Sequence, residues 1–148
     1  AQYVDYKQLK KWIKQLAASS PPAESVFTTE GVVVRTSEDF VRQLDAQIEK
    51  AVLFYLQEQG RIAAEVAALV RCRTTPEELA DGCKQAGQEV VELMQFLELN
   101  LIGLRKILKK HDKMVVSQRI TGHYLWSRSE RPESHLRQLS QLAGLNAI

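Results

Sequence analysis

The chain has 148 residues, of which 45% are hydrophobic, and this is enough for one domain with a hydrophobic core. Its net charge is only +2, so the molecule as a whole is not a polycation that would adhere to nucleic acid. No run of 18 apolar residues and no secretory signal peptide is visible. Residues 1–16 carry a net charge of +3 and residues 101–113 carry +4, which leaves −5 for the remainder. An acidic body with two basic segments favours a local anion-binding site.

The first predicted helix carries apolar residues at three- and four-residue steps, as an amphipathic helix does. These residues are Tyr3, Tyr6, Leu9, Trp12, Ile13 and Leu16. The Ser-Ser-Pro-Pro sequence at 19–22 is expected to end the helix, and we interpret the stretch that follows, to Arg35, as a loop. Since the chain opens at Ala1 inside this pattern, we expect it to be N-terminally truncated.

Two long helices are predicted next. Thr36 and Asp39 have the spacing of a capping box, and an apolar stripe runs from Phe40 to Val70, with Gly60 as either a bend or a tolerated glycine. Thr75-Pro76-Glu77-Glu78 is a second start signal, and the helix after it is predicted to reach Asp112. A short turn between two long helices predicts an antiparallel hairpin, against which the first helix packs.

Shorter helices are predicted at about 115–127 and 133–143, separated by Pro132 and closed by Gly144. The fold class is therefore all-α. Cys72 and Cys83 lie on either side of the hairpin turn, and we expect two free, part-buried thiols there, with a disulfide as the alternative.

Lysines repeat at i, i+3, i+4 and i+7 in two places, and each set lines one stripe of a helix. The early ladder is Lys7, Lys10, Lys11 and Lys14, and the late ladder is Lys106, Lys109, Lys110 and Lys113. A solvated helix face is the simpler interpretation of either set alone. Stacked like charges repel, however, and the late ladder has no interleaved glutamate, so a multiply phosphorylated ligand is the natural compensating anion.

Two segments resemble the SPX domain family. Residues 3–11, Tyr-Val-Asp-Tyr-Lys-Gln-Leu-Lys-Lys, are similar to its opening motif, and residues 99–113 are similar to its most diagnostic segment. Residues 44–54 and 134–139 look most like the subfamily in which an SPX domain precedes a major-facilitator transporter, the vacuolar phosphate carriers of plants and algae. The resemblance covers the chain as one SPX domain, residues 1–148, without the short basic helix with which the family begins.

This resemblance implies a helical bundle that binds inositol pyrophosphates and, more weakly, inositol hexakisphosphate, and so reports phosphate status. Carried over by position, Tyr6, Lys10 and Lys110 would form a tight phosphate cluster that Lys14 could join, and Lys106, Lys109 and Lys113 would form the adjacent lysine surface. It also implies a C-terminal transporter domain in the membrane and a place on the cytosolic face of the vacuolar membrane. Outside that subfamily, we expect a cytoplasmic protein.

The remaining candidate residues indicate no catalytic or metal-binding function. We find no nucleophile–base motif and no phosphate-binding loop, so an enzyme is not expected, and neither a metal site nor a cofactor is indicated. His111 is interpreted as a solvent-facing or weakly phosphate-contacting imidazole, and Tyr124 and Trp126 are interpreted as core or helix-packing residues. Asp5 and Asp112 are expected to orient neighbouring lysines.

Two other classes of function remain open. The lysines could face the anionic headgroups of a membrane, in which case the Tyr6 phenol would be unnecessary. They could instead meet an acidic protein partner, which would make the domain a helical interaction module.

Overall fold

The computed structural model describes residues 2–19, 36–72 and 75–144. Within these ranges there are five α-helices and no strand, which confirms the predicted all-α class. The helices are α1 (Tyr6–Ser19), α2 (Ser37–Arg71), α3 (Pro76–Met114), α4 (Thr121–Ser129) and α5 (His135–Leu142). The predicted loop, from residue 20 to Arg35, lies outside the described residues.

Both long helices begin where the capping signals predict. The Thr36 hydroxyl accepts a hydrogen bond from the Asp39 N–H, and the Asp39 carboxylate accepts one from the Thr36 N–H. Thr75 and Glu78 make the same reciprocal pair at the start of α3, with Pro76 in the first turn. These contacts satisfy backbone donors that the first turn of a helix cannot pair, and they fix where each helix starts.

The hairpin formed by α2 and α3 is antiparallel, as predicted. Ser37 contacts His111 at one end, and Arg61 pairs with Glu89 at 2.6 Å toward the other. We call residues 37–52 of α2 and 95–114 of α3 the proximal half, and residues 53–71 and 76–94 the distal half. Nearly all the buried residues of both helices lie in the proximal half, and the exceptions are Ile62 and Leu93 in the distal half.

Helix α1 packs on one face of the proximal half and runs in the same direction as α3. Gln2 and Tyr3 line a cleft with Arg61 in the distal half, whereas the Val4 N–H donates to the Asn100 side chain at 2.8 Å. The chain therefore moves from the distal to the proximal half as it enters α1. The helix begins at Tyr6, after the N-terminal segment, so the expectation that the chain opens inside a helix is wrong.

Helices α4 and α5 pack on the opposite face of the hairpin. Tyr124 and Arg128 of α4 reach Asp45 of α2, on the flank of α2 away from α1. Helix α4 begins at Thr121 rather than near residue 115, because α3 continues to Met114 and residues 115–120 form a turn instead. Helix α5 ends at Leu142, and Gly144 follows with a positive φ of 71°, the left-handed conformation that glycine adopts at little cost.

Among the described residues, the distal half is a two-helix arm that α1, α4 and α5 leave largely exposed. Helix α2 continues unbroken through Gly60, so this glycine is tolerated and does not end the helix. Near the tip, Cys72 and Cys83 are both free and exposed. The structure thus has free thiols, as expected, but the prediction that they are part-buried is wrong, since none of the described residues covers them.

Candidate functional site

The early lysine ladder lies on α1, and the helix period divides it into two parts. Leu9 and Ile13 are buried, and Lys10 and Lys14 each follow one of them by a single position, or about 100° around the helix. With α1 on its observed side of the hairpin, that rotation turns them toward α3, and Tyr6 lies on the same flank. Lys7 and Lys11 point further from the core.

The late ladder divides in the same way. Lys106 and Lys110 each precede a buried residue, Ile107 or His111, by one position. Because α1 and α3 run in the same direction, positions that follow the core on α1 and precede it on α3 turn toward one shared groove. The other two lysines, Lys109 and Lys113, lie further around α3 on its solvent side.

The two ladders also have matching levels along the helices. Val4 is hydrogen-bonded to Asn100, and each helix rises about 1.5 Å per residue. Lys10 therefore lies near the level of Lys106, and Lys14 near the level of Lys110. We call this groove and its lysines the basic groove.

Burial distinguishes three of the seven predicted site residues. Tyr6, Lys10 and Lys110 are half-buried, and Tyr6 packs against the core. Exposed side chains make up the rest of the set: Lys14, Lys106, Lys109 and Lys113. A half-buried side chain loses less conformational freedom when it meets a ligand, which makes these three the better-ordered donors.

His111 is not solvent-facing, which corrects the prediction from its lysine neighbours. Its side chain is 0% exposed, it stacks on Phe40 at 4.9 Å between ring centroids, and its Nε2 lies 3.3 Å from the Ser37 hydroxyl. The reason is helical phase, since His111 continues the buried stripe of Leu104 and Leu108. Burial lowers the pKa of His111, and the neighbouring carboxylate only partly opposes this. The imidazole is a neutral part of the floor under the late ladder.

Asp112 does not orient the lysines, because its carboxylate is used elsewhere. Oδ1 accepts the Ile120 N–H at 2.8 Å, and Oδ2 accepts the Thr121 N–H at 3.2 Å, so Asp112 caps the start of α4. Burial works to raise the pKa of Asp112, but these hydrogen bonds outweigh it and the pKa is lowered. Asp5 likewise accepts the Gln8 N–H and caps α1. Both residues therefore fix helix starts next to the ladders.

Residues that hold the groove together were missed in the sequence. Asn100 is 2% exposed and bridges two elements: its Oδ1 accepts the Val4 N–H, and its Nδ2 donates to the Phe96 carbonyl at 2.7 Å. The apolar pattern around position 100 gave no reason to place an amide there. A polar residue in phase with buried leucines was the available signal, since such a residue needs a partner from another element.

A second, part-buried contact joins α4 to the hairpin. The Tyr124 hydroxyl donates to Asp45 at 2.7 Å, and Arg128 pairs with the same carboxylate at 2.7 Å. Burial, with the Asp45 charge, raises the pKa of Tyr124 well above its usual range. Tyr124 is thus a core residue, as predicted, whereas Trp126 is 64% exposed, which is a correction. On a helix this short, Trp126 lies on the side opposite Tyr124.

No family model matches the chain. An SPX domain-containing membrane protein of Oryza sativa subsp. indica is 36% identical over 155 aligned residues, which include 99% of this chain. Two proteins of the same description from Arabidopsis thaliana are 35% and 34% identical over the same share. The chain therefore belongs to the SPX domain family.

The chain spans 21% of the length of these relatives. Their names describe membrane proteins, but no helix in the part of the chain that the structure describes is long and apolar enough to cross a bilayer. The same described residues contain no group of three His, Cys, Asp or Glu side chains that could hold a metal ion.

Proposed function

We propose that this chain is a phosphate-status sensor domain, and that it binds inositol pyrophosphates and inositol hexakisphosphate in the basic groove to regulate phosphate transport or homeostasis. The observation that supports this most is the arrangement of the two lysine ladders on adjacent helices that run in the same direction, with Lys10 near the level of Lys106 and Lys14 near that of Lys110. Lysine ammonium groups and a tyrosine hydroxyl suit phosphate oxygens.

Binding of this kind requires several lysines at once. An exposed ion pair contributes about 0–1 kcal/mol, whereas micromolar affinity corresponds to roughly 8 kcal/mol. Even at about 1 kcal/mol each, at least about eight such contacts must therefore act together on a surface that is already formed. The α2–α3 hairpin and the hydrogen bond between Val4 and Asn100 provide such a surface, because they hold α1 and α3 in register.

The resemblance to transporter-linked members extends the proposal to the whole protein. There, the domain would act on a C-terminal membrane domain of a phosphate transporter at the vacuolar membrane.

The test is isothermal titration of this chain with an inositol pyrophosphate, inositol hexakisphosphate and inorganic phosphate side by side. We expect measurable binding of the first two, weakening as salt rises. Lys10→Ala, Lys110→Ala and Tyr6→Phe should each weaken it. Lys84→Ala is the matched control, because it removes the same charge from the exposed distal half.

Each outcome has a clear meaning. Unaltered affinity in all three groove variants would contradict the site. Binding to anionic vesicles without binding to the soluble ligands would favour the membrane alternative, and indifference to Tyr6→Phe would remove the tyrosine from the site.

A further inference from the structure

The distal half carries an exposed apolar stripe on each helix with the spacing of a heptad repeat. On α2 the stripe consists of Leu53, Leu56, Gly60, Ala63, Ala67 and Val70, and on α3 of Ala80, Cys83, Gly87, Val90 and Met94. The steps alternate between three and four residues, as in the seam of a coiled coil. Every residue in both stripes is exposed, including Leu53 at 50% and Val70 at 71%. We call the pair the distal seam.

Both stripes lie on the same face of the hairpin. Ile62 of α2 and Leu93 of α3 are the buried contact positions of the arm. The stripe residues Ala63 and Met94 are the next residues after Ile62 and Leu93, so each is rotated by about 100° around its helix from the buried position. When two helices are antiparallel, rotations of equal size and sense away from their mutual contact lead to the same face of the pair. A rotation of the same size in the opposite sense leads from Ile62 to Arg61 and from Leu93 to Glu92. Arg61 and Glu92 line a common cleft on the other face of the arm.

The two faces of the arm differ in chemistry. On the α1 side, Arg61 pairs with Glu58, Glu65 and Glu89, and the face is charged. The distal seam lies on the α4–α5 side and contains no charged residue. Solvated helix faces are normally charged or polar, so a face of this length without charge is an unsatisfied packing surface.

The same stripe of α3 is covered where a helix is available. Leu97, Leu101, Leu104 and Leu108 continue the heptad phase of Met94 into the proximal half, and all four are buried. Met94 is 60% exposed, whereas Leu97, three residues later, is 0% exposed. The two exposures differ because the covering helix, α5, ends at Leu142. The next residue, Ala143, lines a groove with Met94 and Leu97.

We propose that the distal seam is a homodimer interface, in which two copies of this chain pack their arms face to face about a two-fold axis. An antiparallel helix pair has an approximate two-fold axis normal to its face, so two such faces can pair as self-complementary surfaces. Small residues at the centre, Gly60, Ala63 and Gly87, allow the backbones to approach closely. A side chain added at Gly60 or Gly87 would meet nothing within 4 Å in a single copy, so the fold of the monomer does not require either glycine.

The area is sufficient for a weak, specific dimer. The stripe spans residues 53–70, or roughly 27 Å at 1.5 Å per residue, and the pair is about 18 Å wide. Each copy would bury roughly 500 Å², or about 1,000 Å² in total, which is near the lower limit for a specific interface. The basic groove lies on the other side of the hairpin, so pairing leaves it open and the proposal does not depend on the ligand.

The experiment is sedimentation equilibrium of the full chain under reducing conditions, from about 1 to 500 µM, the range in which an interface of this size dissociates. We expect a concentration-dependent dimer. Ala67→Glu should raise its dissociation constant about tenfold or more, because it would bury an unpaired carboxylate. The matched control is Ala68→Glu, which introduces the same charge one residue away on the charged face, and it should leave the dimer intact.

Circular dichroism checks that both variants keep their helices, and both alanines are exposed, so neither substitution disturbs the core. Leu56→Glu provides a second seam variant with the same expectation. A chain that stays monomeric at the highest concentration would overturn the proposal and assign the seam to a different partner. A dimer that Ala67→Glu and Ala68→Glu weaken equally, or not at all, would overturn it too.

Discussion

The hydrogen bond between Val4 and Asn100 is expected to control both the stability of the domain and its basic groove. In Asn100→Ala, the buried Val4 N–H loses the 2.8 Å hydrogen bond that it donates to the amide oxygen. A buried donor without a partner costs about 1–3 kcal/mol. The cavity left by the amide adds to this, while the Phe96 carbonyl keeps its helical partner. We expect the free energy of unfolding to fall by about 2–4 kcal/mol.

The assay is urea denaturation followed by circular dichroism, with ligand titration of the folded variant alongside. Because this bond sets the register of α1 against α3, ligand affinity should fall even under conditions where Asn100→Ala is folded. Gln47→Ala is the control, since its amide accepts the Asp5 N–H at an exposed position and should cost about 0.5–1 kcal/mol. If Asn100→Ala stayed within about 0.5 kcal/mol of wild type, the anchoring role assigned to this residue would be refuted.

Four further perturbations test the packing around the hairpin. His111 is buried and its pKa is lowered from 6.5, so the unfolded chain binds a proton more readily and the free energy of unfolding should drop as pH falls below about 6.5; a His111→Gln variant with an unchanged pH profile would argue against this. Gly60→Ala should stabilise the monomer by about 0.5–1 kcal/mol, measured by thermal unfolding, because a Cβ there meets open space. In Gly82→Ala the new Cβ would come within 2.5 Å of a leucine methyl on α2, so this variant should gain less than Gly60→Ala, and an equal gain would contradict the close approach. Asp45→Ala leaves the buried Tyr124 hydroxyl without its acceptor and should lower stability by about 2–3 kcal/mol in urea titration, whereas a loss below about 0.5 kcal/mol would indicate that water replaces the carboxylate.

Local signals in the sequence were sufficient for the long helices. Thr36 and Thr75 carry capping boxes whose partners are three residues away, so no knowledge of the tertiary fold was needed to place either start. The late ladder was also readable, because lysines at i, i+3, i+4 and i+7 lie on one stripe whatever packs beside them.

Contacts between distant segments were not readable in the same way. His111 was interpreted from its lysine neighbours, but its environment is set by Phe40 and Ser37, more than seventy residues earlier. The sequence predicts Trp126, like Tyr124, to be a core or helix-packing residue, whereas α4 is short and Tyr124 is its buried aromatic residue.

The site could be predicted only in part, for the same reason. The sequence identified two basic helices and, through the family resemblance, a candidate set of seven residues. It could not give the direction of α1, which depends on Val4 reaching Asn100, nor the difference in burial between Lys10 and Lys14. The apolar periodicity of α3 was also continuous through Val90 and Leu97, and nothing in it distinguished the covered part from the bare part.

The positions of the two free thiols make this chain convenient for chemical labelling. Cys72 and Cys83 are exposed and lie toward the tip of the arm, far along the hairpin from Lys10 and Lys110. A fluorophore on either sulfur would therefore leave the lysines unobstructed, so ligand affinity could be measured on labelled protein without first replacing any cysteine. A large adduct on Cys83 would occupy the face assigned to self-association, whereas one on Cys72 would sit beyond it. Alkylating single-cysteine variants would separate these two effects in solution.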